Sequence, residues 1–84
     1  MERRTSAQQC QLFSTSACHL CDIAEGLLLE AGVMFEKVDI SDSDELFERY
    51  GVLIPVLRRP DGKELNWPFS PGQLRAFMSS WPPP

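Results

Sequence analysis

A Cys-x-x-Cys segment, Cys18–Cys21, is the feature that most constrains this chain. It follows a short apolar run over residues 9–14 and opens a helical pattern. Two thiols at this spacing can close into a disulfide and open again. The first thiol lies near the helix N-terminus, where free backbone N–H groups and partial positive charge stabilise a thiolate. The segment therefore predicts a strand, a short loop and a helix that carries a thiol pair at its start.

Metal binding is the alternative use of the same two thiols. A structural zinc ion takes four ligands, and the chain has no second Cys/His pair; only Cys10 and His19 remain as candidates. A c-type haem site is excluded because Asp22, and not histidine, follows the second cysteine. The spacing therefore favours redox chemistry over metal binding.

Length and cysteine content restrict the class of protein. The 84 residues are interpreted as one domain over residues 1–84, with frayed tails at about 1–8 and 82–84. Three cysteines are too few for a disulfide-stapled secreted scaffold. The N-terminus lacks the apolar region of a secretory signal, and no run approaches the ~20 apolar residues of a membrane span. We therefore expect a cytoplasmic monomer without membrane association.

The charge balance argues against one class of partner. The net charge is −4 at pH 7, whereas binding to nucleic acid requires a basic surface. The arginines are scattered, and Arg58–Arg59 is interpreted as a solvated strand end. We therefore expect no nucleic-acid partner.

The pattern along the chain predicts the element order β-α-β-α-β-β-α. Gly32 ends the first helix, Ser41–Asp44 offers N-cap candidates, and Asp61–Gly62 is a hairpin turn. Ser70–Pro71 is interpreted as a cap and first helical residue. An initial β-α-β unit joins parallel strands, and the hairpin adds two more. The predicted fold is therefore α/β, with three helices flanking a four-stranded mixed sheet. The predicted ranges are strand 9–14, helix 19–31, strand 33–40, helix 44–50, a strand from 54, strand 64–67 and a helix from 71.

Helical spacing also predicts which side chains face the sheet. In the first helix, Leu20, Ala24, Leu28 and Ala31 form one apolar row. The other two helices are expected to point apolar side chains inward: Leu46 and Phe47 from the second, and Leu74, Phe77 and Met78 from the last. Cys10 on the first strand is expected to be buried.

The element order with a Cys-x-x-Cys after the first strand resembles the thioredoxin fold in its short glutaredoxin form. Residues 13–21 are similar to the glutaredoxin strand, loop and thiol segment. Ile54–Pro55 stands where that superfamily has an apolar residue and a cis-proline facing the thiols. Tyr50–Gly51 before Ile-Pro-Val, and Trp-Pro-Phe before the last helix, resemble small bacterial glutaredoxin-like proteins. The resemblance covers residues 9–81.

The resemblance implies a thiol–disulfide oxidoreductase of cell redox homeostasis. Cys18 is the expected nucleophile, because it lies at the helix N-terminus, and Cys21 is the expected resolving thiol. The expected substrates are protein or small-molecule disulfides. The residues expected to contact the substrate are His19, Leu20, Ile54 and Pro55.

The chain also departs from the glutaredoxin pattern. His-Leu replaces Pro-Tyr between the cysteines, Thr15 replaces a basic residue, and Phe69–Gly72 replaces a Gly-Gly pair and its acidic follower. The latter two family positions hold the carboxylates of glutathione. We therefore expect no bound cofactor, and both glutathione and the thioredoxin system stay open as reductant. Two other functions also stay open: a metal or iron–sulfur centre shared by two chains, and a non-enzymatic redox-sensing adaptor.

Overall fold

A computed structural model describes residues 9–81, so the tails predicted to be frayed, 1–8 and 82–84, lie outside the described residues. The described residues follow the predicted element order, with one additional 3₁₀ turn. The elements are β1 (Cys10–Ser14), α1 (His19–Ala31), β2 (Phe35–Asp39), the 3₁₀ turn (Ile40–Asp42), α2 (Asp44–Tyr50), β3 (Val56–Arg58), β4 (Glu64–Asn66) and α3 (Pro71–Ser79).

The four strands form one mixed sheet in the order β2-β1-β3-β4. β1 and β2 are parallel, and β3 is antiparallel to both β1 and β4. The register brings the ends of β1, β2 and β4 to the same side as the start of β3. We call this side the thiol end, defined by Ser14, Asp39, Val56 and Asn66, and the opposite side the hairpin end, defined by Cys10, Phe35, Arg58 and Glu64.

Two apolar clusters lie on the two faces of the sheet. Leu12 and Phe13 point to opposite faces because successive side chains alternate along a strand. On one face α1 and α3 cover Leu12, and on the other α2 covers Phe13. The buried members are Cys10, Leu12, Ala24, Leu28, Leu57, Phe69 and Leu74 on the first face, and Phe13, Ile40, Tyr50 and Val56 on the second.

The predicted helix signals are confirmed. Gly32 ends α1 with a left-handed φ of 72°, which glycine adopts without steric cost. The Ser43 hydroxyl accepts the N–H of Leu46 at the start of α2. Ser70 caps α3 in a reciprocal capping box with Gln73. These local interactions fix where each helix begins or ends.

All four strands differ slightly from the predicted ranges. The first begins at Cys10 and not at residue 9, and the fourth ends at Asn66 and not at residue 67. The second strand spans Phe35–Asp39 and not residues 33–40, because the Val33 N–H donates to the Leu28 carbonyl at the end of α1 and the Asp39 carboxylate accepts the Ser41 N–H and starts the 3₁₀ turn. The third strand begins at Val56 and not at Ile54, because Pro55 has no N–H to donate to a ladder.

The prediction that Phe47 points inward is wrong. α2 has only seven residues, and Leu46 and Tyr50, four residues apart, form its face toward the sheet. This leaves the ring of Phe47 exposed. In α1 the predicted apolar row is also only half buried, because Leu20 and Ala31 at its two ends extend beyond the sheet.

The interpretation of Arg59 as a solvated residue is wrong as well. Its side chain is buried, and its guanidinium donates to both carboxylate oxygens of Asp61, at 2.6 and 3.0 Å. It also donates to the Phe77 carbonyl at 2.7 Å and to the Ser80 hydroxyl at 2.6 Å. The guanidinium lies over the rings of Phe77 and Trp81. Arg59 therefore ties the hairpin to the end of α3.

Candidate active site

Cys18 and Cys21 form a disulfide at the start of α1. Their Cα atoms are 5.2 Å apart. Cys18 is the N-cap of the helix and has an extended backbone, so its side chain lies over the first turn. Ala17, directly before it, has a left-handed φ of 60°, a conformation that costs an L-residue roughly 1–2 kcal/mol. The chain thus turns sharply between β1 and the thiol pair.

The two sulfur atoms have different surroundings. Cys21 is buried, whereas Cys18 is only half-buried. The Cys18 sulfur accepts the backbone N–H of Cys21 at 3.2 Å. In the reduced protein, such an N–H and the helix N-terminus favour a thiolate at Cys18. Cys18 is therefore the more exposed residue of the pair.

His19 and Leu20 occupy the two positions between the cysteines. Both side chains are exposed on the first turn of α1. Asp22 follows them in the same turn and is also exposed. The structure therefore places His19 and Leu20 beside the disulfide, and their contact with a substrate stays a prediction.

Ile54 and Pro55 lie at the thiol end. Val56 pairs with Phe13, so Pro55 lies next to the position where β1 leads into the Cys-x-x-Cys segment. The Ile54–Pro55 peptide bond is cis, Pro55 is buried and Ile54 packs against the cluster around Phe13. The fold therefore brings Cys18 and Pro55, 37 positions apart in the chain, to the same end of the sheet.

Trp67 and Phe69 follow β4 at the same end. Their rings meet edge to face at 5.1 Å, and Phe69 is buried in the cluster under α1 and α3. Trp67 packs against that cluster, and the Trp67–Pro68 bond is also cis. Core packing therefore accounts for these rings.

The sequence did not reveal a small pocket that is lined by polar and charged residues, two of them in the segment between β1 and the thiol pair. It has a volume of about 190 Å³ and lies where β1 and β2 end. The hydrogen bonds from the Ser41 N–H and hydroxyl hold the pKa of Asp39 below its usual value. The register of the parallel β1–β2 pair, Ser14 opposite Asp39, is the signal that would have located it. Its lining residues are Ser14, Thr15, Ser16, Lys37 and Asp39.

Cys10, the third cysteine, lies at the hairpin end and is buried, as predicted. Burial raises the pKa of its thiol. Its sulfur lies 3.8 Å from the sulfur of Met78. Cys10 is therefore separated from the disulfide by the length of β1.

The described residues contain neither a cluster of metal ligands nor a membrane-spanning helix. Within residues 9–81, no three His, Cys, Asp or Glu side chains come together as a metal site. Over the same described range, every helix is too short or too polar to cross a bilayer.

The sheet order, the three helices and the Cys-x-x-Cys at the start of α1 define a thioredoxin-like α/β fold. The model of the Glutaredoxin-like domain family (DUF836) matches residues 9–79. The chain therefore belongs to this glutaredoxin-like family, which confirms the resemblance drawn from its motifs.

Solved structures agree with this assignment. The X-ray structure of the Northeast Structural Genomics target protein XcR50 from X. campestris is 42% identical, with a TM-score of 0.82 over 87% of this chain and 99% of that chain. The solution structure of the same target is 41% identical, with a TM-score of 0.81 over 88% of this chain and 96% of that chain. Protein Ne2328 from Nitrosomonas europaea, at 23% identity and a TM-score of 0.64 over 92% and 98%, shares the fold. No functionally curated protein matches the chain.

Proposed function

We propose that this protein is a thiol–disulfide oxidoreductase that uses Cys18 as nucleophile and Cys21 as resolving thiol. One observation carries the proposal: the two cysteines form a disulfide at a helix N-terminus, with Cys18 the more accessible member. Membership of the glutaredoxin-like family supports the same chemistry.

The reaction begins with the reduced dithiol. The Cys18 thiolate attacks one sulfur of a substrate disulfide, forms a mixed disulfide and expels the other substrate sulfur as a thiolate. The Cys21 thiol loses its proton and attacks the Cys18 sulfur. This step forms the Cys18–Cys21 disulfide and releases the second substrate thiolate. Two electrons pass from the protein to the substrate, which takes up two protons as its thiolates are protonated.

The fold supports each of these steps. The Cys21 N–H that donates to the Cys18 sulfur stabilises the attacking thiolate. Burial protects Cys21 from external disulfides while leaving it close to Cys18, with 5.2 Å between their Cα atoms. Ile54 and Pro55 lie at the thiol end and are the proposed contacts for an incoming chain on the strand side, although the Ile54 N–H itself donates to the Tyr50 carbonyl at 3.1 Å. His19 and Leu20 are the exposed contacts on the helix side.

The catalytic cycle also needs a reductant. We propose that a thiol donor of the cytoplasm, either glutathione or the thioredoxin system, regenerates the dithiol, and that the protein acts as a monomer. In a reducing cytoplasm a Cys-x-x-Cys pair rests as the dithiol and is oxidised only by its substrate.

Trapping of the mixed disulfide tests the proposal. All variants carry Cys10→Ala, so that Cys18 and Cys21 are the only cysteines. The reduced protein is mixed with a disulfide-bonded peptide and the products are identified by mass spectrometry. Cys21→Ser should accumulate a mixed disulfide at position 18, whereas Cys18→Ser should form almost none. Equal trapping in both variants would contradict the assigned roles.

A parallel reconstitution with iron and sulfide separates the metal-binding alternative. The proposal predicts a colourless monomer after removal of excess reagent. A coloured dimer that loses its colour in both Cys18→Ser and Cys21→Ser, together with no disulfide reduction by the parent chain, would overturn it.

A further inference from the structure

Exposed apolar side chains lie on the helix that carries the thiol pair and in the loop that leads to Pro55. Leu20, 45% exposed, and Ile23 stand on the first two turns of α1. Val52, 96% exposed, and Leu53 stand in the loop that leads to Pro55. We call these four residues the apolar rim. Exposed apolar residues that group around one feature mark an interaction surface, whereas single ones need no explanation.

The topology places the two halves of the rim at the same end of the molecule. α1 begins at the thiol end, since it follows directly on β1. The loop containing Val52 returns to the thiol end to start β3 at Val56. α1 covers one face of the sheet, and α2, which the Val52 loop follows, covers the other, so the two halves of the rim belong to elements on opposite faces. Folding does not account for Val52, whose side chain is almost completely exposed.

The charges at the thiol end are predominantly acidic. Asp39 ends β2, and hydrogen bonds from Ser41 hold its pKa below the usual value, so it is ionised at neutral pH. The nearest lysine, Lys37, is paired with Glu25 at 3.4 Å. By contrast, the basic residues of the hairpin lie at the far end. The other acidic residues near the thiol end are Asp22, Asp42 and Asp44, and the hairpin cations are Arg58, Arg59 and Lys63.

We infer that the substrate of the Cys18–Cys21 pair is a polypeptide disulfide with apolar side chains beside its cysteine, in preference to the disulfide of glutathione. The inference rests on the proposed function and names its substrate class. An extended polypeptide that presents its disulfide to Cys18 removes apolar surface on the rim from water. Glutathione brings carboxylates toward the acidic side chains of the same end and has no large apolar side chain for the rim.

The electrons balance as in the proposed function. The dithiol gives two electrons to the polypeptide disulfide, which becomes two thiols, and Cys18–Cys21 becomes the disulfide. No external reductant takes part in a single turnover, so the test needs none.

The experiment measures the second-order rate constant for oxidation of the pre-reduced protein under anaerobic conditions. Three disulfides are compared: insulin as the polypeptide, hydroxyethyl disulfide as the neutral small molecule and glutathione disulfide as the anionic one. Reactions are quenched with acid, and the fraction of oxidised protein is read by mass. The double variant Ile23→Ser/Val52→Ser tests the rim, because neither residue is one of the expected substrate contacts beside the cysteines. Leu29→Ser/Met34→Ser, two exposed apolar residues away from the thiol end, is the matched control.

The rim variant should react with insulin about tenfold more slowly and with hydroxyethyl disulfide within about twofold of the parent. The control should stay within about twofold for all three. For the parent, glutathione disulfide should react more slowly than hydroxyethyl disulfide at low salt, and the gap should narrow at high salt because screening weakens charge repulsion. Val52→Ser alone should also slow the reaction with insulin more than the reaction with hydroxyethyl disulfide, with no change in thermal melting.

An unchanged insulin rate in both rim variants would overturn the inference, as would a faster reaction with glutathione disulfide than with hydroxyethyl disulfide at low salt. Failure of the proposed function has a different signature. In that case the parent reduces none of the three disulfides, or Cys18→Ser reduces them as fast as the parent does.

Discussion

The thiol end and the hairpin end of the sheet each contain cysteine, but they place it in opposite environments. At the thiol end, Cys18 is half-buried at a helix N-terminus and its sulfur accepts a backbone N–H. At the hairpin end, Cys10 is buried within a strand, and burial raises the pKa of its thiol. The same side chain is thus prepared for reaction at one end and packed as an apolar group at the other.

The contrast extends to the charged residues. At the hairpin end, the buried Arg59 donates hydrogen bonds to Asp61, to the Phe77 carbonyl and to Ser80. At the thiol end, Asp22 and the apolar rim face solvent. The hairpin end thus holds the fold together, whereas the thiol end leaves its reactive groups accessible.

Substitution of Cys18 and, separately, of Cys10 should give the largest difference in activity between the two ends. Cys18→Ser should lower the single-turnover rate with insulin by at least about 10³-fold, because a serine hydroxyl does not replace a thiolate as nucleophile. Cys10→Ala should stay within about twofold. The measurement is the rate constant for oxidation of the pre-reduced protein by insulin, from acid-quenched samples. A large loss in Cys10→Ala with its thermal melting unchanged would break the distinction between the two ends.

Removal of the buried guanidinium should change stability and leave the thiol chemistry intact. Arg59→Met leaves Asp61 and the Phe77 carbonyl without their donor, and we expect Tm to fall by about 10 °C. Arg58→Met, at the neighbouring and less buried position, is the matched control and should change Tm by at most about 2 °C. Calorimetry gives both values. Equal Tm losses in the two variants would show that Arg59 has no special role.

Tyr50 carries a smaller stabilising contact of the hairpin end. Its hydroxyl donates to Glu64 at 2.5 Å, and Tyr50→Phe should cost about 1 kcal/mol of unfolding free energy. Burial, the largest cause, and the hydrogen bond to Glu64 raise the pKa of Tyr50. The unfolded chain therefore loses the phenol proton first, and stability present below about pH 10 is lost as the pH rises through the folded pKa.

The pH dependence has a direct readout. Tyr50 is the single tyrosine, so absorbance near 295 nm titrates it alone in the native protein. Denaturant unfolding from pH 8 to 11 should show a steeper loss of stability in the parent than in Tyr50→Phe. An equal loss in both chains would contradict the assigned contact.

The smallest predicted effect concerns α1, which begins at the thiol end and runs away from it. A Cβ on Gly26 meets open space, so Gly26→Ala should stabilise the protein by about 0.5–1 kcal/mol. Gly32→Ala, the control at a φ of 72°, should destabilise it by about 1 kcal/mol. Urea unfolding distinguishes the two signs, and a stabilising Gly32→Ala would contradict the left-handed cap.

Local signals account for the part of the fold that sequence predicted well. Gly32, Ser43 and Ser70–Pro71 act on backbone groups within a few residues, so their effect is readable from the chain itself. The apolar run over residues 9–14 and the Cys-x-x-Cys spacing are likewise local. These signals, with the family resemblance, predicted the element order and the thiol pair.

Contacts between distant segments account for what was missed. Arg59 is buried because the end of α3 supplies Phe77 and Ser80, 18 and 21 residues later. The pocket beside Asp39 exists only because β1 and β2 pair in a given register. The left-handed Ala17 carries no sequence signal, since alanine seldom adopts that conformation.

Competitive alkylation of the reduced protein tests directly whether Cys18 is the reactive thiol. Fully reduced parent chain is treated at pH 7 with less than one equivalent of iodoacetamide, and the labelled cysteine is mapped by mass spectrometry. Cys18 should be labelled first, Cys21 more slowly, and Cys10 only after the chain is unfolded. Labelling of Cys10 or Cys21 ahead of Cys18 in the folded protein would contradict it.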